Sequence, residues 1–301
     1  PSLKITAMVA DSSLGEIYAG TSDGGVFLTT NGGGVWYDWS SGLGTSLDVI
    51  ALIQDPFSPI LYLGTGSNGI FKSNTGALTA SWVPINSGMG IFEIITALEV
   101  DIGFPGRIYA GTYAGGVFKS ENGGDSWVAC NDGLPPNIFH MVEALTLAPV
   151  SGVLYLSTET GLFRSTDNAA SWIEYTAATG LHQYDPDEKA VAFAVDPNND
   201  ENVYAASNSG AVYELVEFLG QKYWSPLESL GQNSSLIFDL SVDTSSSFQI
   251  ALGSDRGVFQ YTRDGIRKFL KINVTADFGS EDTLEILGLK FTDLGKGSPR
   301  K

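Results

Sequence analysis

One motif recurs six times along the chain, and it constrains the fold more than any other feature. IYAGTSDGGVF from Ile17 returns as LYLGTGSNGIF from Leu61, IYAGTYAGGVF from Ile108, LYLSTETGLF from Leu154, VYAASNSGAVY from Val203 and IALGSDRGVF from Ile250. Successive copies start 44, 47, 46, 49 and 47 residues apart. An apolar segment of one pattern precedes each copy: KITAMVAD, VIALIQD, IITALEVD, VEALTLA, AVAFAVD and IFDLSVD. An aromatic follows each in one slot (Trp36, Trp82, Trp127, Trp172, Trp224 and Phe269), so five of the six tryptophans belong to the repeat. A fixed period of this length marks an array of supersecondary units rather than two unrelated domains.

Each unit reads as four short strands. Strand A is of the ITALEVD type, B of the IYAGT type, C of the GGVFKS type, and D begins at the Trp. Alternating apolar residues punctuated by Gly, Asn, Asp and Ser predict an antiparallel meander. One such sheet has two apolar faces and must be covered on both, which radial packing around an axis achieves while keeping sheet edges short. The sequence therefore predicts an all-β β-propeller in a single domain spanning 1–301, with blades at about 4–40, 48–86, 94–131, 141–176, 189–227 and 236–275. A seventh A-type segment, Leu284 to Phe291, has no B, C or D after it. It packs as an accessory on six complete blades, the preferred reading, or is the inner strand of a partial seventh. With 36 glycines and 34 Phe, Tyr and Trp residues, the composition suits turns and half-buried strands and opposes a helical bundle.

The C–D turns carry a further pattern. Ser120-Glu121-Asn122-Gly123-Gly124-Asp125-Ser126-Trp127 resembles the Asp-box of bacterial-neuraminidase-type repeats, S-x-D-x-G-x-T-W, with Asn for Asp. Ser165 to Trp172 keeps Asp167 but has Ala for Gly, and Thr29 to Trp36 is a third match. The copy ending at Trp82 is stretched, and those at Trp224 and Phe269 are degenerate. The side chain caps turn N–H groups, Gly supplies φ > 0 and Trp plugs between blades. The resemblance covers nearly the whole chain and implies the fold. Its function classes diverge: propellers of this type include sialidases, xyloglucan-cleaving enzymes, sortilin-type receptors and photosystem assembly factors.

Known catalytic motifs dissolve into turn chemistry. Gly20-Thr21-Ser22-Asp23-Gly24 matches a nucleophile elbow and Gly64-Thr65-Gly66-Ser67-Asn68-Gly69 a dinucleotide loop. Both occupy the B–C turn and lack the strand-to-helix setting those motifs need. Asp196 to Asn202 spaces oxygens as a calcium loop would, yet it fills an A–B turn and has no bidentate Glu downstream, so a plain turn is favoured. A sialidase needs an arginine cluster for the substrate carboxylate. The arginines (Arg107, Arg164, Arg256, Arg263, Arg267 and Arg300) all avoid the inner A strands. Paired acids suited to glycoside hydrolysis are abundant, but no motif selects a pair.

Sixteen Lys and Arg against 34 Asp and Glu leave a formal charge of −18, which opposes binding to nucleic acid and to anionic membranes. One cysteine, Cys130, and two histidines, His140 and His182, exclude an internal disulfide and a Cys- or His-rich metal site, so neither metal nor cofactor is expected. Cys130 reads as core filler and His140 as packed against an apolar run. Sequons at Asn233 and Asn273 matter only for a eukaryotic secreted chain. No apolar run is long enough to insert in a membrane.

Length varies most in the D–A loops, which share one end of a propeller with the B–C turns. That end is expected to read a partner, and the C–D end to be structural. The candidate ligand-binding residues there are Phe92, Glu93, Tyr113, Phe139, His140, His182, Tyr184, Asp185, Asp187 and Glu188. The expected function is a non-catalytic module recognising or scaffolding a protein or carbohydrate, secreted, on the cell surface or periplasmic. A glycoside hydrolase with paired carboxylates is the alternative. The start at Pro1 and the solitary last strand also suggest a piece of a larger modular chain.

Overall fold

The computed structural model describes residues 4–11, 14–73, 81–91, 94–136, 141–174, 188–218, 221–229, 237–243, 249–254, 257–262 and 285–286. Strands account for all regular structure among them, and no helix occurs. The first sheet contains β1 (Lys4–Asp11), β2 (Glu16–Thr21), β3 (Val26–Thr29) and β4 (Tyr37–Asp38). The second contains β5 (Val49–Gln54), β6 (Leu61–Thr65), β7 (Ile70–Ser73) and β8 (Trp82–Pro84). The third contains β9 (Ile95–Val100), β10 (Ile108–Thr112), β11 (Val117–Ser120) and β12 (Val128–Ala129). The fourth contains β13 (Val142–Leu147), β14 (Leu154–Thr158), β15 (Gly161–Ser165) and β16 (Ile173–Glu174). The fifth contains β17 (Ala190–Asp196), β18 (Asn199–Ser207), β19 (Ala211–Phe218) and β20 (Gln221–Ser229). The sixth is described through β21 (Ile237–Asp243), β22 (Gln249–Ser254) and β23 (Gly257–Thr262). All six are antiparallel meanders in chain order.

Of the seventh apolar segment, Glu285 and Ile286 form β24, which pairs in parallel with β1 as a fifth strand on the first sheet. Lys4 lies opposite Glu285 and Ile5 opposite Ile286. The degenerate turn ending at Phe269 lies outside the described residues.

The core sits between sheets rather than inside any one of them. Five hydrophobic clusters each bridge two consecutive sheets. The first strands of successive sheets pack side by side from β1 to β21. Middle strands β6, β10 and β14 are buried at every position, because both of their faces meet a neighbouring sheet. Trp39 and Trp82 meet edge to face at 5.2 Å across the first boundary, a favoured aromatic geometry.

Close approach of sheets needs small residues at one register position of each second strand. A Cβ on Gly64 would meet Ile95 Cγ2 at 2.5 Å, and one on Gly111 would meet Val142 Cγ1 at 2.5 Å. Each first strand also breaks register near its start, giving a bulge at Thr6, Ile50, Thr96, Glu143, Val191 and Phe238. Bulges bend a strand and re-aim side chains. Here they fall where the inner strand leaves the B–C end.

Candidate functional site

Three C–D turns share one hydrogen-bond web. Ser165 Oγ donates to Asp167 Oδ1 at 2.7 Å and accepts Ala169 N at 3.0 Å, while Asp167 Oδ1 accepts Ser171 N at 2.9 Å. Ser120 and Asn122 repeat this with Gly124 N and Ser126 N, and Thr29 and Asn31 with Gly33 N and Val35 N. The Ser171 and Ser165 hydroxyls, bonding to the carboxylate, hold Asp167 down at about 2. The two turn positions with φ > 0 are Gly-Gly in the first and third sheets, but Asn168 and Ala169 in the fourth.

These turns are spent on holding sheets together. Trp127 Nε1 donates to Ile85 O at 2.7 Å, and Trp127 N to Ser87 O at 2.8 Å. Trp82 does the same to Trp39 O and Ser41 O, and Trp172 to Cys130 O and Asp132 O. Lys72 Nζ reaches Gly123 O at 3.0 Å and Lys119 Nζ reaches Asn168 O at 3.1 Å, each stapling a C strand to the next turn. Arg107 contacts Asp101, Glu121 and Asn168 together. It is committed to an A–B turn, away from any carboxylate clamp. Asp196 Oδ1 caps Asn198 N at 2.9 Å and Oδ2 accepts Asn202 Nδ2 at 3.0 Å, so its oxygens close a turn. Cys130 is half-buried against the core between the third and fourth sheets, and burial raises its thiol pKa.

The clamp on Trp takes up the first half of each D–A loop, through Ser41-Gly42-Leu43, Ser87-Gly88-Met89 and Asp132-Gly133-Leu134. The expectation that the D–A loops face a partner is thus confined to their ends, and the internal S/D-G-L/M repeat marks the first half as structural. The start of each such outer strand touches the preceding sheet's loop, a contact that the right-handed twist of sheets favours. Among the described residues, no three His, Cys, Asp or Glu are gathered so as to hold a metal ion.

What remains at the B–C end is a set of clasps. Ser22 N donates to Lys4 O, Gly66 N to Asp48 O, Tyr113 N to Ile94 O and Asn208 N to Lys189 O, all at 2.9 to 3.1 Å. Inside the first two turns a Thr hydroxyl bridges the backbone, Thr21 to Gly25 O and Gly24 N, and Thr65 to Gly69 O and Asn68 N. The two enzyme-like motifs are therefore strand–turn–strand connections.

Of the candidate residues, Tyr113 and Glu188 lie within the described structure; Phe92, Glu93, Phe139, His140, His182, Tyr184, Asp185 and Asp187 lie outside the described residues. Tyr113 is 50% exposed on the third sheet's clasp. Ile94 beside it is 44% exposed, and Ile91 in the same loop 89%. Ile50, the bulge residue of the second sheet, is also exposed. Sequence reading did not single out these isoleucines: Ile94 immediately precedes β9, whose first residue, Ile95, is fully buried.

Glu188 begins the fifth sheet's clasp, but its carboxylate turns inward and is 9% exposed. Its Oε1 accepts hydroxyls from Ser207 at 2.8 Å, Ser209 at 2.7 Å and Tyr213 at 2.9 Å. Burial, then the bond to Glu188, raises the Tyr213 pKa. Glu143 pairs with Lys189 at 3.3 Å, and Asp48 Oδ1 accepts the Ser67 hydroxyl at 2.8 Å. Tyr113 belongs to the third sheet and Glu188 to the fifth, with the fourth between them in chain order.

No protein-family model matches the chain, and no curated protein matches its sequence. Solved structures do resemble it. The GH74 xyloglucanase from Xanthomonas campestris superposes with a TM-score of 0.66 at 15% identity, over 91% of this chain and 46% of that one. The extracellular domain of the two-component system BT4673 from B. thetaiotaomicron gives 0.65 at 15%, over 90% of this chain and 33% of that one. YCF48 from Cyanidioschyzon merolae gives 0.61 at 12%, over 89% and 86%. The chain thus spans a third to a half of the first two and most of the third. No helix among the described residues is long and apolar enough to cross a membrane. At such identities the likeness establishes architecture alone, and this chain has the β-propeller fold, which a xyloglucanase and the extracellular domain of a two-component system share.

Proposed function

We propose that this chain is a six-bladed propeller of the Asp-box type that recognises or scaffolds a protein or carbohydrate partner through its B–C turns and the ends of its D–A loops. The observation that carries this reading is the exposure of Tyr113 in its B–C turn and of Ile94 and Ile91 in the D–A loop, with Tyr113 N donating to Ile94 O. Large apolar groups on rigid backbone anchor partners at low entropic cost. A location outside the cytosol or in an envelope compartment goes with this reading.

Its support against catalysis is the state of the nearby acids. Glu188, Glu143 and Asp48 each have a hydrogen-bonding or ionic partner within the protein. A glycosidase needs two carboxylates at a controlled separation across a cleft. The hydrolase alternative draws on one specific feature, the carboxylate of Glu188 preorganised by three hydroxyls.

The deciding experiment is a hydrolysis screen on xyloglucan and sialylated polysaccharides, run beside glycan and peptide binding arrays. Binding without turnover, weakened by Tyr113→Ala, is the expected result. Turnover abolished by Glu188→Gln, or by any single Asp or Glu substitution on this face, would establish the hydrolase instead.

A further inference from the structure

Acids stand at both ends of the sheets, but positive charge is unevenly divided between them. Among the described residues, Lys72, Arg107, Lys119 and Lys222 all sit at the A–B and C–D end, where they bind turn carbonyls or carboxylates. The B–C end has Lys4 and Lys189, and Lys189 is paired with Glu143. Around the clasps at that end stand Asp23, Asp48 and Glu159, with Asp23 and Glu159 exposed. None of the three makes an ion pair among the described residues.

The acids flank the apolar residues. Tyr113 and Ile94 belong to the third sheet, with Asp48 on the second, Asp23 on the first and Glu159 on the fourth. An apolar anchor with anionic neighbours on both sides complements a chain segment with the inverse order. The protein's net charge of −18 adds a long-range field of the same sign, which speeds approach of cations and repels anions.

We infer that the B–C end of the first four sheets is a docking surface for a cationic peptide segment, one that places an aliphatic or aromatic side chain between lysines or arginines. The apolar side chain packs on Ile94 and Tyr113, and the flanking cations face Asp48 and Glu159. This rests on the recognition function proposed above and narrows it to one partner chemistry. A neutral glycan would use Tyr113 but would gain nothing from the acids.

The test uses the full chain and a fluorescent Lys-Leu-Lys-Tyr-Lys-Leu-Lys peptide, with the Lys-to-Glu inverse, a Lys-Gly repeat and a xyloglucan oligosaccharide as comparators. The apolar cationic peptide should bind most tightly, and binding should weaken as salt is raised. Tyr113→Ala and Ile94→Ser should each weaken it roughly tenfold. Neutralising the near end with Asp23→Asn, Asp48→Asn and Glu159→Gln together should do the same. Neutralising the far end with Asp125→Asn, Glu201→Gln and Glu217→Gln removes equal charge and should change binding less than about twofold, since it lies beyond a Debye length. These are surface positions, and thermal melting verifies that each variant is folded.

Equal loss from the two triple variants, or equal binding of the Lys-Gly repeat, would reduce the effect to bulk charge and overturn the inference. So would equal binding of the inverse peptide. Oligosaccharide binding that is sensitive to Tyr113→Ala, with no peptide binding, overturns the cationic partner yet leaves the recognition function standing. Polysaccharide turnover with no Tyr113-sensitive ligand overturns both.

Discussion

Gly111 and Val142 approach so closely across the third and fourth sheets that a methyl group on Gly111 would sit 2.5 Å from Val142 Cγ1. The same pairing recurs as Gly20 with Val49 and Gly64 with Ile95. In the fourth sheet the register equivalent of the glycine is Ser157, paired with Ala144 as Gly111 is with Ala97. The equivalent of Val142 in the next sheet is Ala190. A larger residue on one side is thus matched by a smaller one on the other.

That complementarity predicts coupling. Gly111→Ser alone should cost about 1–3 kcal/mol by overpacking. Val142→Ala alone should cost about 2 kcal/mol through lost burial and a residual cavity. The double variant, which reproduces the Ser157 and Ala190 pair, should cost less than the sum by at least about 0.5 kcal/mol. Urea denaturation of the four proteins measures this, and strict additivity would refute it.

Trp127 tests the clamp between sheets. Trp127→Phe keeps a large ring but removes the donor to Ile85 O, so a loss of about 1–2 kcal/mol is expected from the unpaired carbonyl alone. Gly88→Ala should be worse. Gly88 has φ of +97°, and an added Cβ would collide with the Trp127 carbonyl oxygen. Thermal melting should rank Gly88→Ala below Trp127→Phe, and the reverse order would mean that the clamp is not what the glycine serves.

Asp167 gives a pH-dependent prediction. Its folded value of about 2 lies below the ordinary 3.8. A depressed carboxyl stabilises the fold above its ordinary value and loses that contribution as pH falls through its folded value. Asp167→Asn resembles the natural Asn31 and Asn122 turns and should be mildly destabilising at neutral pH. The gap from the parent should narrow between about pH 5 and pH 2. A gap that stayed constant or widened on acidification would contradict the assignment.

Glu188 separates a structural role from a reactive one. Glu188→Ala removes the shared acceptor of three hydroxyls, and since Ser207 and Ser209 still bond each other at 2.8 Å, two donors are left unpaired, a cost of about 2 kcal/mol at about 1 kcal/mol each. Glu188→Gln keeps an acceptor oxygen and should be much milder. In that variant the Tyr213 phenol should titrate lower than in the parent while remaining above about 10, because burial persists. Ultraviolet titration of tyrosinate reads this directly. An unchanged Tyr213 would show that the bond to Glu188 contributes nothing.

Much of this fold is written in the sequence because the repeat carries its own consistency tests. Six copies of a B strand, six A-type segments and a Trp slot define the sheets, since alternation and turn residues are local properties. The enzyme-like loops at Gly20 and Gly64 were recognisable as turns for the same reason: their siblings occupy the same slot. Residues that differ between copies carry no such control. Glu188 reads as one more acid in a loop, and only folding brings Ser207, Ser209 and Tyr213 onto one of its oxygens.

By itself, then, the sequence determined the all-β class, the order of the strands and the turn chemistry, all governed by neighbours within a few residues. Tertiary structure decided what lies between units: the small-to-large matching of Gly111 and Val142, the capture of Trp127 by Ile85, the parallel placement of β24 on β1, and the exposure of Ile94 beside Tyr113. The reason is physical. Each contact joins residues from different sheets, or opposite faces of one strand, and depends on strand twist and sheet spacing. Neither is a property of any short stretch of chain.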